Sequence, residues 1–315
     1  MKLLSKIAAP ILSVLSLFML TGCGKKESKV NFVTSCYPVH IIAMNIADGV
    51  EGVEIKKMSE NHSGCLHDFQ LQTKDLKNIE KSSAFIINGA GMENFLDKIT
   101  EENQEIKIID SSKGIPLIEE ECGHDDCEDE ECDCEDEECN CHHHGGSNSH
   151  IWLSLENYMI QIKNICEGMK SADPNNAEKY QKNADIYVNK VCDLKIKMHD
   201  ELHKFKGKDI ITFHNAFPYF AKEFGINILK VINHEPGEEP SAKEILETIN
   251  AVKQNNIKAI FTEPQYTDSA AKTIAKETGA EIYTLDPCVT GDNDKNAYID
   301  TMEKNLEILK IAFSE

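Results

Sequence analysis

Three histidines and one aspartate stand where an α/β chain carries its ligand loops. His67 follows the strand-like run 53–58 after a loop, and His150 directly precedes the helical pattern 151–169. His214 ends the apolar run DIITF, and Asp286 ends EIYTL. Open α/β sheets bind ligands beyond the carboxyl ends of their strands. Three imidazoles and a carboxylate make a tetrahedral set suited to a borderline-soft divalent ion such as zinc. A single histidine is more often a surface or satisfied core residue, so the shared placement carries the reading.

A second group of metal-binding side chains lies between 119 and 147, in ECGHDDCEDEECDCEDEECNCHHHGG. Six thiols (Cys122, Cys127, Cys132, Cys134, Cys139, Cys141) and four imidazoles (His124, His142, His143, His144) fall within 23 positions. A seven-residue unit repeats, CEDEECD then CEDEECN. No apolar residue is available to fold around them, so the segment should be disordered without a partner. Thiolate and imidazole suit zinc or Cu(I), and the carboxylates raise local cation concentration. The competing reading is a loop closed by disulfides, since extracytoplasmic cysteine is usually oxidised. The C-x-C pairs are poorly spaced for that.

This insert dominates the charge of the chain. The 315 residues carry 33 bases, all lysine, against 54 acids, a net of −21. Residues 119–138 hold 14 of the acids; without them 40 acids face 33 bases, a net of −7. Such a chain lacks the positive charge that neutralises phosphate and is not a nucleic-acid binder.

Short β-rich runs alternate with amphipathic stretches. Strands are expected at 30–36, 53–58, 84–88 and 106–109, with helices at 41–47 and 73–81. After 207 the rhythm resumes with strands at 209–213, 226–231, 259–262 and 281–285. Helices are expected at 268–278, 298–313 and from the capping box Ser241/Glu244 to Asn255. Alternation of this kind predicts parallel sheets covered on both faces. Between the two sets, Asp173 reads as an N-cap and Pro174 as a first helical residue. Tyr180, Ala184, Tyr187, Val191, Leu194, Met198 and Leu202 follow at helical spacing. That predicts one helix of about 32 residues, ~48 Å long, acting as a stiff spacer. The expected fold is α/β: two similar lobes joined by one long rigid helix, with a metal cleft between them. The divisions are 31–172, 173–206 and 207–315.

The N-terminus sets a compartment. Lys2 and Lys6 precede an apolar run of about 14 residues, short of the ~20 a membrane span needs, so 1–22 reads as a signal peptide. It ends in Leu20-Thr21-Gly22-Cys23, which resembles the bacterial lipobox. This implies a mature protein lipid-anchored through Cys23 at the extracytoplasmic face of the cell membrane, with 23–30 as a tether.

Several strings, in order, resemble the zinc-binding lipoproteins among the metal-binding components of bacterial zinc and manganese ABC transporters. They are TSCYPVHIIAMNIADGV, SGCLHDFQLQTKDLKNIEKS, FIINGAGMENFLDKI, HIWLSLENYMIQI, FHNAFPYFAKEFGI, EPSAKEI, FTEPQYTDSAAKTIAKETGA and LDP. Only the acidic insert falls outside them. The resemblance implies His67, His150 and His214 as the three nitrogen ligands and Asp286 at the position where a carboxylate often completes the site. Manganese-binding relatives usually have Glu in the third position; His214 there favours zinc. Some zinc members carry an acid before the first histidine, where this chain has Leu66. The fourth ligand is then Asp286 or water, with His62 and Cys65 as nearby substitutes. Zinc-binding relatives also carry a His/Asp-rich loop at the place of the insert.

The expected function is capture of Zn2+ outside the membrane, by a monomer, and delivery to an ABC permease and its ATPase. Two alternatives stand beside it: a manganese receptor or adhesin of the same family, and a zinc-dependent hydrolase. No motif places a general base for the hydrolase. His199-Asp-Glu-Leu-His203 has its Glu one place late for the zincin pattern. Gly89-x-Gly91 is an incomplete dinucleotide fingerprint, better read as a tight turn. Cys36, Cys166, Cys192 and Cys288 read as small core residues rather than nucleophiles.

Overall fold

The structure is a computed structural model. It describes residues 29–58, 66, 69–102, 105–119, 146–232, 240–265 and 267–314.

The first parallel sheet is built from β1 (Val30–Thr34), β2 (Val53–Lys57), β3 (Ala84–Ile87) and β4 (Ile108–Asp110), in the order β2-β1-β3-β4. Its helices are α1 (Tyr37–Ile46), α2 (Thr73–Glu80), α3 (Leu96–Glu102) and α4 (Leu155–Ala172). The second sheet repeats the topology with β5 (Asp209–Thr212), β6 (Asn227–Val231), β7 (Ala259–Thr262) and β8 (Glu281–Thr284), ordered β6-β5-β7-β8. Its helices are α6 (Pro218–Phe224), α7 (Ala242–Asn255), α8 (Ser269–Thr278) and α9 (Ala297–Ser314). In each sheet the strand order reverses beside the first strand, between β1 and β3 and between β5 and β7. That reversal opens a crevice at the carboxyl ends.

Between the sheets runs α5 (Ala177–Leu202). The seven residues spaced for its apolar stripe are all buried. Its ends differ from expectation. Asp173 does not cap it: that carboxylate accepts from Tyr180 Oη at 2.8 Å and Asn176 Nδ2 at 2.7 Å, and Pro174–Asn176 form a 3₁₀ turn. A second 3₁₀ turn, His203–Phe205, ends the run before Gly207, whose φ is +76°. The α-helix is therefore 26 residues, or ~39 Å.

Nor is α5 a bare spacer. Tyr180 sets its ring edge against Phe32 of β1, and Tyr187 meets Tyr158 of α4, hydroxyl to hydroxyl at 3.1 Å. Tyr158 in turn stacks on Tyr298 of α9 at 3.6 Å between centroids. One apolar core thus runs from the first sheet through α4 and α5 to α9 and one face of the second sheet. A smaller core under α7 and α8 covers the other face.

The capping box opens α7 as expected: Glu244 N–H donates to Ser241 Oγ at 3.2 Å, and Ser241 N–H to Glu244 Oε2 at 2.7 Å. Two helices, α3 and α6, fall where the sequence pattern set no element. For α6 the signals were present, Pro218 at its start and Gly225 in the left-handed conformation at its end. Among the described residues no helix is long and apolar enough to cross a membrane.

Candidate metal centre

His150 and His214 come from different lobes and meet. His150 sits at the start of a 3₁₀ turn, Ile151–Leu153, and His214 lies just beyond β5. Both are buried, at 2% and 5% exposure, and their Nε2 atoms lie 3.2 Å apart. Two Zn–N bonds of about 2.0–2.1 Å at the tetrahedral angle set their nitrogens ~3.3 Å apart. The pair therefore already has the spacing of one edge of a zinc tetrahedron. One Nε2–H donates to the other nitrogen.

The backbone around the pair is fixed from both sides. His150 N–H donates to Asn148 Oδ1 at 3.0 Å, and Asn148 Nδ2 donates to the carbonyl of Asn215 at 2.7 Å. One side chain thus ties the two histidine loops together. Tyr219 of α6 donates to the Asn148 carbonyl at 2.9 Å and accepts from Ile118 N–H at 2.9 Å. Asn88, at the end of β3, donates to the Ser149 carbonyl at 2.9 Å.

Asp286 follows β8. Its Oδ1 accepts from Cys288 N–H at 2.8 Å, and Asn305 of α9 bonds its backbone in both directions, at 2.9 and 2.8 Å. Burial raises its carboxyl above the ordinary range, opposed by the Cys288 hydrogen bond and the Lys304 charge. The next carbonyl, of Pro287, accepts from Trp152 Nε1 at 2.8 Å, and Trp152 lies two residues beyond His150. The carboxylate loop of the second lobe is thereby fastened to the histidine loop of the first.

The structure does not gather the whole expected set. Among the described residues no three His, Cys, Asp or Glu side chains converge closely enough to hold an ion. His67 lies outside the described residues, as do His62 and Cys65. Its neighbour Leu66 is buried, and Phe69 N–H donates to the Leu66 carbonyl at 3.0 Å, so the chain beside His67 is anchored in the first lobe. Cys23 and all ten insert residues, Cys122, His124, Cys127, Cys132, Cys134, Cys139, Cys141, His142, His143 and His144, also lie outside. The ends of the insert meet: Glu119 pairs with Ser147 in an antiparallel bridge, and Asn148 N–H donates to the Ile118 carbonyl at 2.7 Å.

Sequence reasoning missed one acid. Glu263, the residue after β7, is 4% exposed, and its Oε1 has no hydrogen-bond partner among the described residues. Burial, then the charge of Asp286, pushes its carboxyl up to about 8. The string FTEP carried it, but one acid after a strand is no signal without knowing that it is buried.

The motifs set aside behave as surface or core. His199 faces Glu223 at 3.4 Å and packs on Phe224. Gly89 and Gly91 take φ of +77° and +79° in a turn, and a Cβ on Gly89 would overlap the Asp110 and Ser112 side chains. Cys166 and Cys288 are buried free thiols, and Cys36 and Cys192 are partly buried. Burial pushes Cys36 and Cys288 far up and Cys166 to about 11, so none of these three is a ready thiolate nucleophile.

The architecture is two α/β lobes on one long helix, with imidazoles from each meeting across the gap. The chain belongs to the ZnuA family, zinc-uptake complex component A, periplasmic, whose model matches residues 32–312. It is 32% identical to the high-affinity zinc uptake system protein ZnuA of Bacillus subtilis, over 92% of this chain and 89% of that one. It is 28% identical to the zinc-binding lipoprotein AdcA of Streptococcus pneumoniae, over 98% of this chain, and spans only 61% of that relative's length. Among solved structures it resembles the metal-dependent lipoprotein YcdH of Bacillus subtilis. That match has a TM-score of 0.72 and 27% identity, and covers 90% of this chain and 99% of that one.

Proposed function

We propose that the chain is an extracytoplasmic solute-binding lipoprotein that captures Zn2+ and delivers it to an ABC permease and its ATPase. It binds and releases an ion rather than turning over a substrate. The observation that carries this reading is the buried His150/His214 pair, one imidazole from each lobe, at the nitrogen spacing zinc requires. His67 supplies the third nitrogen and Asp286 the carboxylate. Relatives named for zinc uptake support zinc as the cargo, and nitrogen at His214, where an oxygen ligand would suit manganese, points the same way. The domain divisions at 173 and 207 and the anchor at Cys23 belong to this proposal, as does metal capture by the insert.

The test is competition for zinc between the full mature chain and a chromophoric chelator. Replacing either His150 or His214 by Ala should weaken the tightest site by roughly 100-fold or more, since each removes one of at most four ligands. Unchanged affinity in both variants overturns the assignment. The anchor is tested by Cys23→Ser, which should release the protein from membranes or leave it unprocessed.

A further inference from the structure

The crevice of the second sheet opens between β5 and β7. His214 leaves β5, and Glu263 leaves β7. β5 and β7 are neighbours in the sheet, paired as far as Thr212 with Phe261, so the two residues leave the carboxyl ends of adjacent strands. Glu263 is therefore at the carboxyl end of the sheet where this topology binds ligands, yet it is buried, with a carboxylate oxygen that has no hydrogen-bond partner among the described residues.

Glu93 shows that this is not how the fold treats a structural acid. Glu93 is equally buried, but its carboxylate accepts from Ser35 Oγ at 2.6 Å, Asn88 N–H at 2.8 Å and Gly89 N–H at 3.0 Å. Among the described residues the charge that acts on Glu263 is that of Asp286, which is repulsive. Two acids buried near one another with no cation are unfavourable. A divalent cation reverses the sign. Three neutral imidazoles and Asp286 would leave a buried Zn2+ with one positive charge unmatched; a second carboxylate matches it.

We propose that Glu263 is the second carboxylate of the metal cleft, facing the captured cation beside His214 and, with Asp286, bringing the loaded site to neutrality. This rests on the reading of the cleft as the zinc site, and it adds a residue that sets the strength and charge selectivity of capture.

The experiment measures two quantities in the full mature chain: zinc affinity of the tightest site, by chelator competition, and the thermal midpoint of the metal-free protein. Glu263→Gln keeps the shape and removes the charge. It should weaken zinc binding about 10–100-fold, the usual effect of losing a group that supports a metal site. The metal-free midpoint should not fall, because an unpartnered buried acid has been removed. Glu263→Asp keeps the charge and should bind zinc more tightly than Glu263→Gln. Unchanged zinc affinity in Glu263→Gln overturns the proposal. So does equal weakening in the Gln and Asp variants, or weakening that only follows a lower metal-free midpoint, because each would mark a packing role. His214→Ala separates the two claims: if it leaves zinc affinity unchanged, the cleft reading itself fails; if it weakens binding and Glu263→Gln does not, only the role of Glu263 fails.

Discussion

At the scale of single residues, the proposed site makes the identity of the third ligand decide the cargo. Nitrogen at His214 suits zinc; oxygen suits manganese. His214→Glu should therefore narrow the preference for zinc over manganese by roughly tenfold or more, read as the ratio of the two affinities. A ratio equal to that of the wild type would show that selectivity lies elsewhere. His40 makes a different point about imidazoles in this fold. Thr34 Oγ1 donates to the Lys56 carbonyl at 3.1 Å, so at 3.0 Å from it His40 Nδ1 must be the donor. The ring is held neutral: burial, helped by Lys57, lowers its pKa to about 4. A folded pKa below the unfolded value means stability that is full above ~6.5 and lost as pH falls through about 4. Asn places an amide donor where Nδ1 stood and cannot titrate. His40→Asn should therefore flatten the fall in the metal-free melting temperature between pH 6.5 and pH 4, a difference read against the wild type. An identical slope in both proteins would contradict the assignment.

At the scale of elements, the histidine loop of one lobe and the carboxylate loop of the other are joined by the protein's own hydrogen bonds. Trp152 donates to the Pro287 carbonyl, and Tyr298 of α9 donates to the Trp152 carbonyl at 2.6 Å. Trp152→Phe keeps the ring and removes the indole donor, leaving a buried carbonyl unpaired at a cost of about 1–3 kcal/mol. It should also weaken zinc binding, since the loop carrying Asp286 loses its tether. Urea unfolding and chelator competition on the same variant check both, and a loss of stability with unaltered zinc affinity would place Asp286 outside the site. None of this tethering was legible in the sequence. The strands, the apolar stripe of α5 and the α7 capping box were, because periodicity and local side-chain chemistry encode them. The ends of α5 were not, because Asp173 is claimed by Tyr180, a tertiary contact. The meeting of His150 and His214 was foreshadowed because both sit at loop positions where α/β folds bind ligands and their neighbours match a family pattern. Glu263 was not, because its meaning depends on burial and on β7 lying beside β5.

At the scale of the whole molecule, the proposed function gives the chain two places for metal with different physics. In the cleft, His150 and His214 are buried on loops that hydrogen bonds hold in place. The insert carries ten thiol and imidazole groups among 14 carboxylates. Ordering it around ions costs about 1–2 kcal/mol of backbone entropy per residue, so its sites should be weaker and more variable. Its exposed charges are screened over ~8–10 Å at ordinary salt, so capture there should weaken as salt rises while the cleft is little affected. Because Glu119 and Ser147 are bridged, residues 120–145 can be replaced by a short turn without disturbing the fold. The reduced full chain should bind several equivalents of zinc and the shortened chain about one, measured at two salt concentrations. One equivalent in both would show that the insert stores no metal. The central claim, that one ion joins the two lobes through His150 and His214, is tested most directly by anomalous diffraction at the zinc edge from crystals of the zinc-loaded, shortened chain. The expected result is a single strong anomalous peak about 2.0–2.1 Å from Nε2 of both histidines. A peak elsewhere, with the two imidazoles still bonded to each other, would contradict it.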